Sequence, residues 1–449
     1  MSRRARTPNS LLHMVSLEHE PWQLGASELI ALDKQFVWHP FTQMKDWIAE
    51  SFEPLVLVGG EGSTIRDIHG REYIDGNASI WTNVHGHNHP RINEAIRAQL
   101  SRVAHTSFLG FTHPAAPVLA RELVKRGPGN LTRVFYSDNG STANEVALRM
   151  AVQYRQLRGE ARENFVAFEY AYHGDTLGAA NLSGIDLFND RIKGFGPNIR
   201  RVSSVEELRK MGGDFARSVN AAIIEPLVRG PAGMRSWPDG LLRELSDWSQ
   251  EHGVLLILDE VMTGFGRTGT MFACEQEAVK PDFLNLAKGI SGGYIPLAAT
   301  LTTEKIFETF LGDQGRTFYY GHSYTANPLG CAAALASLAI FDEDHVLEKM
   351  PKKIRVLTDS LAKLKQVPNV VEIRQRGFAC AVELRGLSAN GVALAIENRL
   401  GAAVCNTARE FGLLSRPIGN AVILLLPLCV SEDEICRACS AIAQASIRF

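Results

Sequence analysis

Two acids close an apolar run in Val254-Leu-Leu-Ile-Leu-Asp259-Glu260. At the carboxyl end of a buried parallel strand such acids face the crevice where ligands bind. As a solvated strand end or a helix cap they would do nothing further. A lysine, Lys288, leaves a second apolar run and enters the glycine-rich turn Gly289-Ile-Ser-Gly292-Gly293. Most lysines at strand ends are solvated, but one enclosed by such a turn can lose its proton and attack a carbonyl carbon. Asp138-Asn-Gly140-Ser141-Thr142 stands between an apolar run and a helical stretch with Val146, Ala147, Met150 and Tyr154 on one face. Small polar residues there leave backbone N–H groups at the positive end of a helix dipole, an anion site suited to phosphate. Ordinary capping by Ser141 or Thr142 accounts for the same residues. In Tyr170-Ala-Tyr172-His173-Gly174 an aromatic stands beside His-Gly after another apolar run. It could stack on a flat ligand or simply fill the core.

The elements that must position these residues alternate. Apolar runs at 133–136, 165–168, 222–224, 254–258, 283–286 and 297–300 are separated by helical stretches. That pattern predicts an α/β fold with a largely parallel sheet covered on both faces. A helix rich in Ala and Leu is expected over Cys331–Phe341, and 331–449 is expected to form a second, smaller α/β domain. The large domain then covers 75–330, and 1–74 is an N-terminal segment packing with the small domain. Residues 54–75 read as β-structure with a turn at Asp67–Arg71. Ile92, Ile96, Leu100 and Val103 predict an amphipathic helix over 91–103. Residues 1–35 are weakly patterned and are expected to wrap the surface or a partner.

Composition narrows the classes. The 449 residues are 45% hydrophobic, enough for a large core. Charges nearly cancel, 49 acidic against 47 basic, which gives no electrostatic case for nucleic acid or an anionic membrane. The basic opening Ser2-Arg3-Arg4-Ala5-Arg6 precedes no signal-length apolar run and reads as a solvated tail. No apolar run reaches the ~18 residues of a membrane span. Seven irregularly spaced cysteines read as reduced thiols. A cytoplasmic protein is expected.

The order and spacing of the four motifs carry more than any one of them. A phosphate turn, an aromatic turn, a strand-end acid and a lysine 29 residues after that acid form the layout of the class III aminotransferases, within the fold type I pyridoxal-phosphate enzymes. The chain resembles that family over nearly its whole length. Asp259-Glu-Val-Met-Thr-Gly-Phe-Gly-Arg-Thr-Gly269, Ala287-Lys288-Gly289 and Asn327-Pro328-Leu329 are its most specific matches. The resemblance implies a homodimer with shared active sites and pyridoxal 5′-phosphate as cofactor. It implies Lys288 as Schiff-base lysine and proton shuttle, and Asp259 as partner of the pyridine nitrogen. It implies Gly140 and Ser141 on the phosphate, Tyr172 on the ring and Glu225 near the cofactor edge. Ser323, in the loop Gly321-His322-Ser323, would reach the phosphate from the other subunit, with His322 beside the cofactor.

Further segments resemble the biotin-pathway branch of the family, whose members aminate 8-amino-7-oxononanoate with S-adenosylmethionine or lysine as donor. They are Trp38–Met44 with Phe41, Asp75–His87 with Ile80 and Trp81, Tyr172–Gly178, Gly184–Phe188 and Arg416–Asn420. Phe41, Ile80, Trp81, Tyr172, Lys288 and Gly321 would contact substrate, and the Arg416 fork suits a carboxylate. Some members have Trp where Ile80 stands, Tyr where Phe41 stands and Gly-Pro-Thr at 321–323. The departures leave the donor open. An ω-amino acid or diamine transaminase, a nicotinamide oxidoreductase and a binding protein on the same fold are the other readings.

Three motifs are set aside. Gly264-Phe-Gly266-Arg-Thr-Gly269 spells a dinucleotide fingerprint but neither follows its strand tightly nor opens a long helix. His85, His87 and His89 alternate without an acidic or cysteine partner nearby in sequence. Cys436 and Cys439 form a CxxC on a helical stretch with no second ligand pair. No metal is expected.

Overall fold

An apolar run with no polar alternation is stable as a strand only when both its faces are covered. In Leu255–Asp259 the residues alternate between two cores, Leu255 and Ile257 in one, Leu256 and Leu258 in the other. The helix Gly140–Leu157 supplies Val146, Ala147, Met150 and Tyr154 to the first core. The helix Leu241–His252 supplies Leu242, Leu245 and Trp248 to the second.

These contacts are seen in a computed structural model, which describes residues 21–185, 196–385 and 399–449. The basic opening Ser2–Arg6 and the Asp186–Phe188 part of the Gly184–Phe188 segment lie outside the described residues. The described chain divides into two units. One comprises residues up to Gly59 with Ile65–Glu72; the other comprises Gly60–Thr64 with Tyr73–Phe449.

The larger unit holds a seven-stranded sheet in the order Leu131–Ser137, Ala298–Thr303, Phe283–Leu286, Leu255–Asp259, Val219–Ile224, Asn164–Phe168, Asn198–Val202. Ala298–Thr303 runs antiparallel to both neighbours, and the pairings from Phe283–Leu286 to the far edge are parallel. All six predicted runs are strands of this sheet. The seventh, Asn198–Val202, escaped because Asn-Ile-Arg-Arg-Val at a sheet edge shows no continuous apolar run. A four-stranded antiparallel sheet follows, Val370–Arg376, Ala379–Leu384, Ala421–Leu424 and Pro417–Ile418. The helix expected at Cys331–Phe341 extends over Pro328–Glu343, because Asn327 caps it and Pro328 takes its first turn.

The smaller unit corrects the expectation of weak pattern over 1–35. Ala26–Phe36 is a helix, hidden from the sequence because none of its side chains is buried. Polar contacts hold it instead. Lys34 Nζ donates to the carbonyls of Ala49 and Phe52 at 2.7 and 2.6 Å. Asp33 pairs with His39 Nε2 at 2.9 Å and accepts from Trp47 Nε1 at 2.8 Å. The expected turn is present, with Asp67 Oδ1 accepting the N–H groups of His69 and Arg71. No helix among the described residues is long and apolar enough to cross a membrane, and all seven cysteines are free.

Ile257 is fully buried in the central strand. Ile257→Ala should destabilise the chain by about 2–5 kcal/mol, read as a thermal midpoint several degrees lower.

Candidate active site

The parallel strands Leu255–Asp259 and Phe283–Leu286 pair with Asp259 opposite Asn285, so their carboxyl ends lie side by side. Asp259 closes the first strand, and Lys288 begins the turn after the second. A buried charge must be hydrogen-bonded to be tolerated. Asp259, 3% exposed, accepts His173 Nδ1 at 2.7 Å and Asn144 Nδ2 at 2.8 Å on Oδ2, and the Val261 N–H at 3.1 Å on Oδ1. Asn144 also donates to the His173 carbonyl at 2.7 Å and accepts from Asn285 Nδ2 at 2.7 Å. One helix, one turn and two strands thereby orient a single carboxylate.

Glu225 follows the strand Val219–Ile224. Its carboxylate accepts the N–H groups of Tyr172 at 2.9 Å and Gly230 at 3.0 Å. Burial pushes its pKa up to about 7, against the pull of His173 and with the push of Asp259. Lys288 is half-buried with φ 44°, and its Nζ lies 4.8 Å from the centre of the Trp81 indole. Desolvation holds its ammonium below the ordinary lysine range, while the charges of Asp259 and Glu225 oppose that and Arg267 adds to it. The result is an amine that releases its proton more readily than a surface lysine, set near two carboxylates.

At the helix Gly140–Leu157 the cap is Asn139, whose side chain accepts the Thr142 N–H while Thr142 Oγ1 accepts the Asn139 N–H. Capping by Ser141 or Thr142, the ordinary reading of that turn, is therefore corrected. Ser141 Oγ accepts the Asp175 N–H at 3.1 Å instead. Gly140 has no room for a side chain, since a Cβ would stand 2.6 Å from Val261 Cγ1. Tyr172 donates its hydroxyl to Asp175 Oδ2 at 2.6 Å, and burial pushes that hydroxyl well above the ordinary tyrosine range.

Residues 48–446 match the family model of aminotransferase class III. The chain belongs to the class III aminotransferases. It is 44% identical over 426 residues to the adenosylmethionine-8-amino-7-oxononanoate aminotransferase of Geobacter sulfurreducens, covering 90% of this chain and 94% of that protein. The crystal structure of the enzyme so named from Methanocaldococcus jannaschii matches with a TM-score of 0.90 at 39% identity, over 94% of this chain and 99% of that one. An (S)-enantioselective omega-transaminase from Thermomicrobium roseum matches with a TM-score of 0.87 at 32% identity, over 94% and 98%. The α/β architecture is that of the fold type I transaminases.

In this class III chain the structure brings together Asp259, Lys288, Glu225, Tyr172 and Trp81 through the contacts above. Ile80 is 48% exposed beside Trp81. His322 Nε2 lies 4.0 Å from Asp138 Oδ1 of the same chain, with Gly321 and Ser323 exposed on either side. Arg416 is exposed next to the strand Pro417–Ile418. Phe41 belongs to the smaller unit, where it is exposed with φ 51°. The histidines take separate partners: His85 meets Ser337, His87 meets Asp75, and the His89 N–H meets the Tyr294 hydroxyl. The Gly264–Gly269 loop leads to the short 3-10 helix Ala273–Glu277. Cys436 is exposed near Ser360, and Cys439 is buried.

Sequence reasoning missed Asn144, His173 and Asn285 as supports of Asp259. The available signal was a lone Asn in the otherwise apolar Phe283–Leu286 run.

His173→Leu and Asn144→Leu each remove a donor from a buried carboxylate. Each should cost about 1.5–3 kcal/mol. Because both donors share Oδ2, the double variant should depart from the sum of the two by about 0.5 kcal/mol or more, measured as a double-mutant cycle in denaturant, and an additive cycle would show that the two donors act independently. Glu225 gives a pH signature. Its folded pKa is raised, so its contribution is complete below the unfolded value of 4.5 and is lost as pH rises through about 7. Glu225→Gln should flatten the fall of the thermal midpoint across that window. Glu260, also raised to about 7 by burial, should keep the remainder of the slope.

Proposed function

We propose that this chain transfers an amino group to 8-amino-7-oxononanoate, giving 7,8-diaminononanoate in biotin biosynthesis, with pyridoxal 5′-phosphate carried on Lys288. The observation that carries the reading is the pairing of strand ends that sets a desolvated lysine beside an acid with three hydrogen-bond donors. The names of the relatives supply the substrate.

The residues present fit that cofactor. Lys288 offers an amine of depressed pKa. Asp259 offers a carboxylate whose donors keep it oriented. Gly140 and Ser141 begin a helix at the anion-favouring end, where no side chain fits at Gly140. When bound, the cofactor supplies an electron-withdrawing ring that stabilises negative charge on the donor carbon. Asp259 would keep the ring nitrogen protonated. Lys288 Nζ would carry a proton from the donor carbon to the cofactor in one half of the reaction and from the cofactor to the acceptor carbon in the other. Tyr172 would cover one ring face, with Glu225 holding the Tyr172 backbone in place. Ile80 and Trp81 would wall the substrate space, and Arg416 would take the substrate carboxylate.

The active form in this reading is a cytoplasmic homodimer in which Gly321, His322 and Ser323 serve the phosphate site. The exposed Leu109, Phe111, Tyr319 and Tyr324 support an apolar interface, and the free cysteines support a reducing compartment. Residues 75–330 would bind the cofactor and 331–449 would form the small domain. A second reading, a broader amine transaminase, is favoured by the likeness to the omega-transaminase and by the smaller Ile80.

The purified chain should absorb in the near-visible through the lysine-linked cofactor, and Lys288→Ala should abolish both that band and turnover. S-adenosylmethionine, lysine, alanine and putrescine, each offered with 8-amino-7-oxononanoate, should yield 7,8-diaminononanoate by mass spectrometry with either of the first two. Reaction with putrescine or alanine alone, and none of that product, would replace the biotin reading with the second.

A further inference from the structure

Four consecutive residues without a glycine, Ala78, Ser79, Ile80 and Trp81, have φ of 42°, 49°, 62° and 69°. They form one left-handed helical turn, with the Trp81 N–H on the Asn77 carbonyl at 2.8 Å and the Thr82 N–H on the Ala78 carbonyl at 2.9 Å. L-residues avoid this conformation, and a β-branched residue such as Ile80 avoids it most. Such a turn persists only where its surroundings over-determine it.

Those surroundings centre on Asp75, which is buried. Its Oδ1 accepts the Asn77 N–H at 3.2 Å, and its Oδ2 accepts both Ser79 Oγ and His87 Nε2 at 3.0 Å. Asn77 Oδ1 accepts Trp81 Nε1 at 3.0 Å. Two glycines press on the turn. A Cβ on Gly293 would stand 2.8 Å from the Thr82 carbonyl, and one on Gly230 would stand 2.9 Å from Trp81 Cζ3. Gly293 belongs to the turn after Lys288, and the Gly230 N–H is held by Glu225. The strained turn is thus wedged between the segments that carry Lys288 and Glu225, and its last residue faces Lys288 Nζ.

We propose that Asp75, acting through Ser79 and His87, is a positioning residue for the amine-transfer site: it holds the left-handed turn that sets the Trp81 ring face where an amine must stand. An indole face attracts a cation within about 6 Å. The ring therefore favours a protonated amine at that point, whether the ammonium of Lys288 or that of an incoming amine. Asp75 touches neither. Its effect passes through the turn, so loss of Asp75 weakens amine binding more than it slows chemistry. The inference rests on the reading of Lys288 as the cofactor lysine, but its first measurement does not.

That measurement is hydrogen exchange by mass spectrometry on the purified full chain before cofactor is added. Asp75→Asn should speed exchange of the amides of Trp81, Thr82 and Asn83 about tenfold or more, the equivalent of about 1.4 kcal/mol. With cofactor restored, KM for the amino donor should rise about tenfold while kcat changes less than about threefold. His87→Leu, which removes a donor to Asp75, should show the same two effects, and His87→Gln, whose amide can still donate to Asp75, should show little of either. Ser79→Ala, at an exposed position, gives the same comparison should Asp75→Asn fold poorly. Unchanged exchange in 77–83 overturns the proposal. So does faster exchange, or a lowered thermal midpoint, with an unchanged KM, since that pattern describes a structural residue only. A chain that shows the exchange effect but no transaminase activity contradicts the functional reading, not the turn.

Discussion

A carboxylate at the end of a fully apolar strand is the constraint around which the larger unit is arranged. Asp259 has almost no access to water, so protein groups must supply what hydration would. They come from far along the chain. Asn144 stands on the helix Gly140–Leu157, His173 in the turn after Asn164–Phe168, and Asn285 on the adjacent strand steadies Asn144. Moving any one of these elements by a residue would leave a buried charge short of a donor. The register of the parallel strands and the pose of the helix are therefore fixed by the same contacts that orient the acid. Apolar packing alone would tolerate more variation.

The polar network explains what the sequence could and could not reveal. The six apolar runs were legible because a strand buried on both faces cannot be written otherwise. Asp259 and Lys288 could be singled out as candidates only by their order and spacing among the four motifs, since a strand-end acid or lysine taken alone reads as well as a solvated group. Asn144 and Asn285 were not, because a buried Asn announces a partner without saying which one, and theirs are 115 and 141 residues away. Asn139 took the capping role expected of its neighbours, since Asn139, Ser141 and Thr142 are equivalent as caps until the backbone is known. The helix Ala26–Phe36 was hidden for the opposite reason: it buries nothing, so it carries no stripe to read.

Left-handed backbone without glycine was the least legible feature. Ala-Ser-Ile-Trp contains no residue that favours positive φ, and each would suit a helix or strand. The conformation comes from Asp75 and the glycines pressed against the turn, so the information lies outside the four residues that adopt it. Lys288, with φ 44°, and Phe265, with φ 59°, follow the same rule. Strain at these positions is held by the surrounding packing, and it places side chains where regular elements would not.

The charges of the site form one balance. Lys288 is drawn toward neutrality by desolvation and toward protonation by Asp259 and Glu225. Glu225 is drawn toward protonation by burial and by Asp259. Asp259 accepts two side-chain donors and one backbone N–H; Glu225 accepts two backbone N–H groups, one on each oxygen. The two carboxylates are thus unequal by construction. Asp259 is held in place by donors from a helix, a turn and the chain that follows its strand, while burial pushes the Glu225 carboxyl up to about 7. Both acids act on the Lys288 amine, so the protonation of that lysine is set from two strand ends at once.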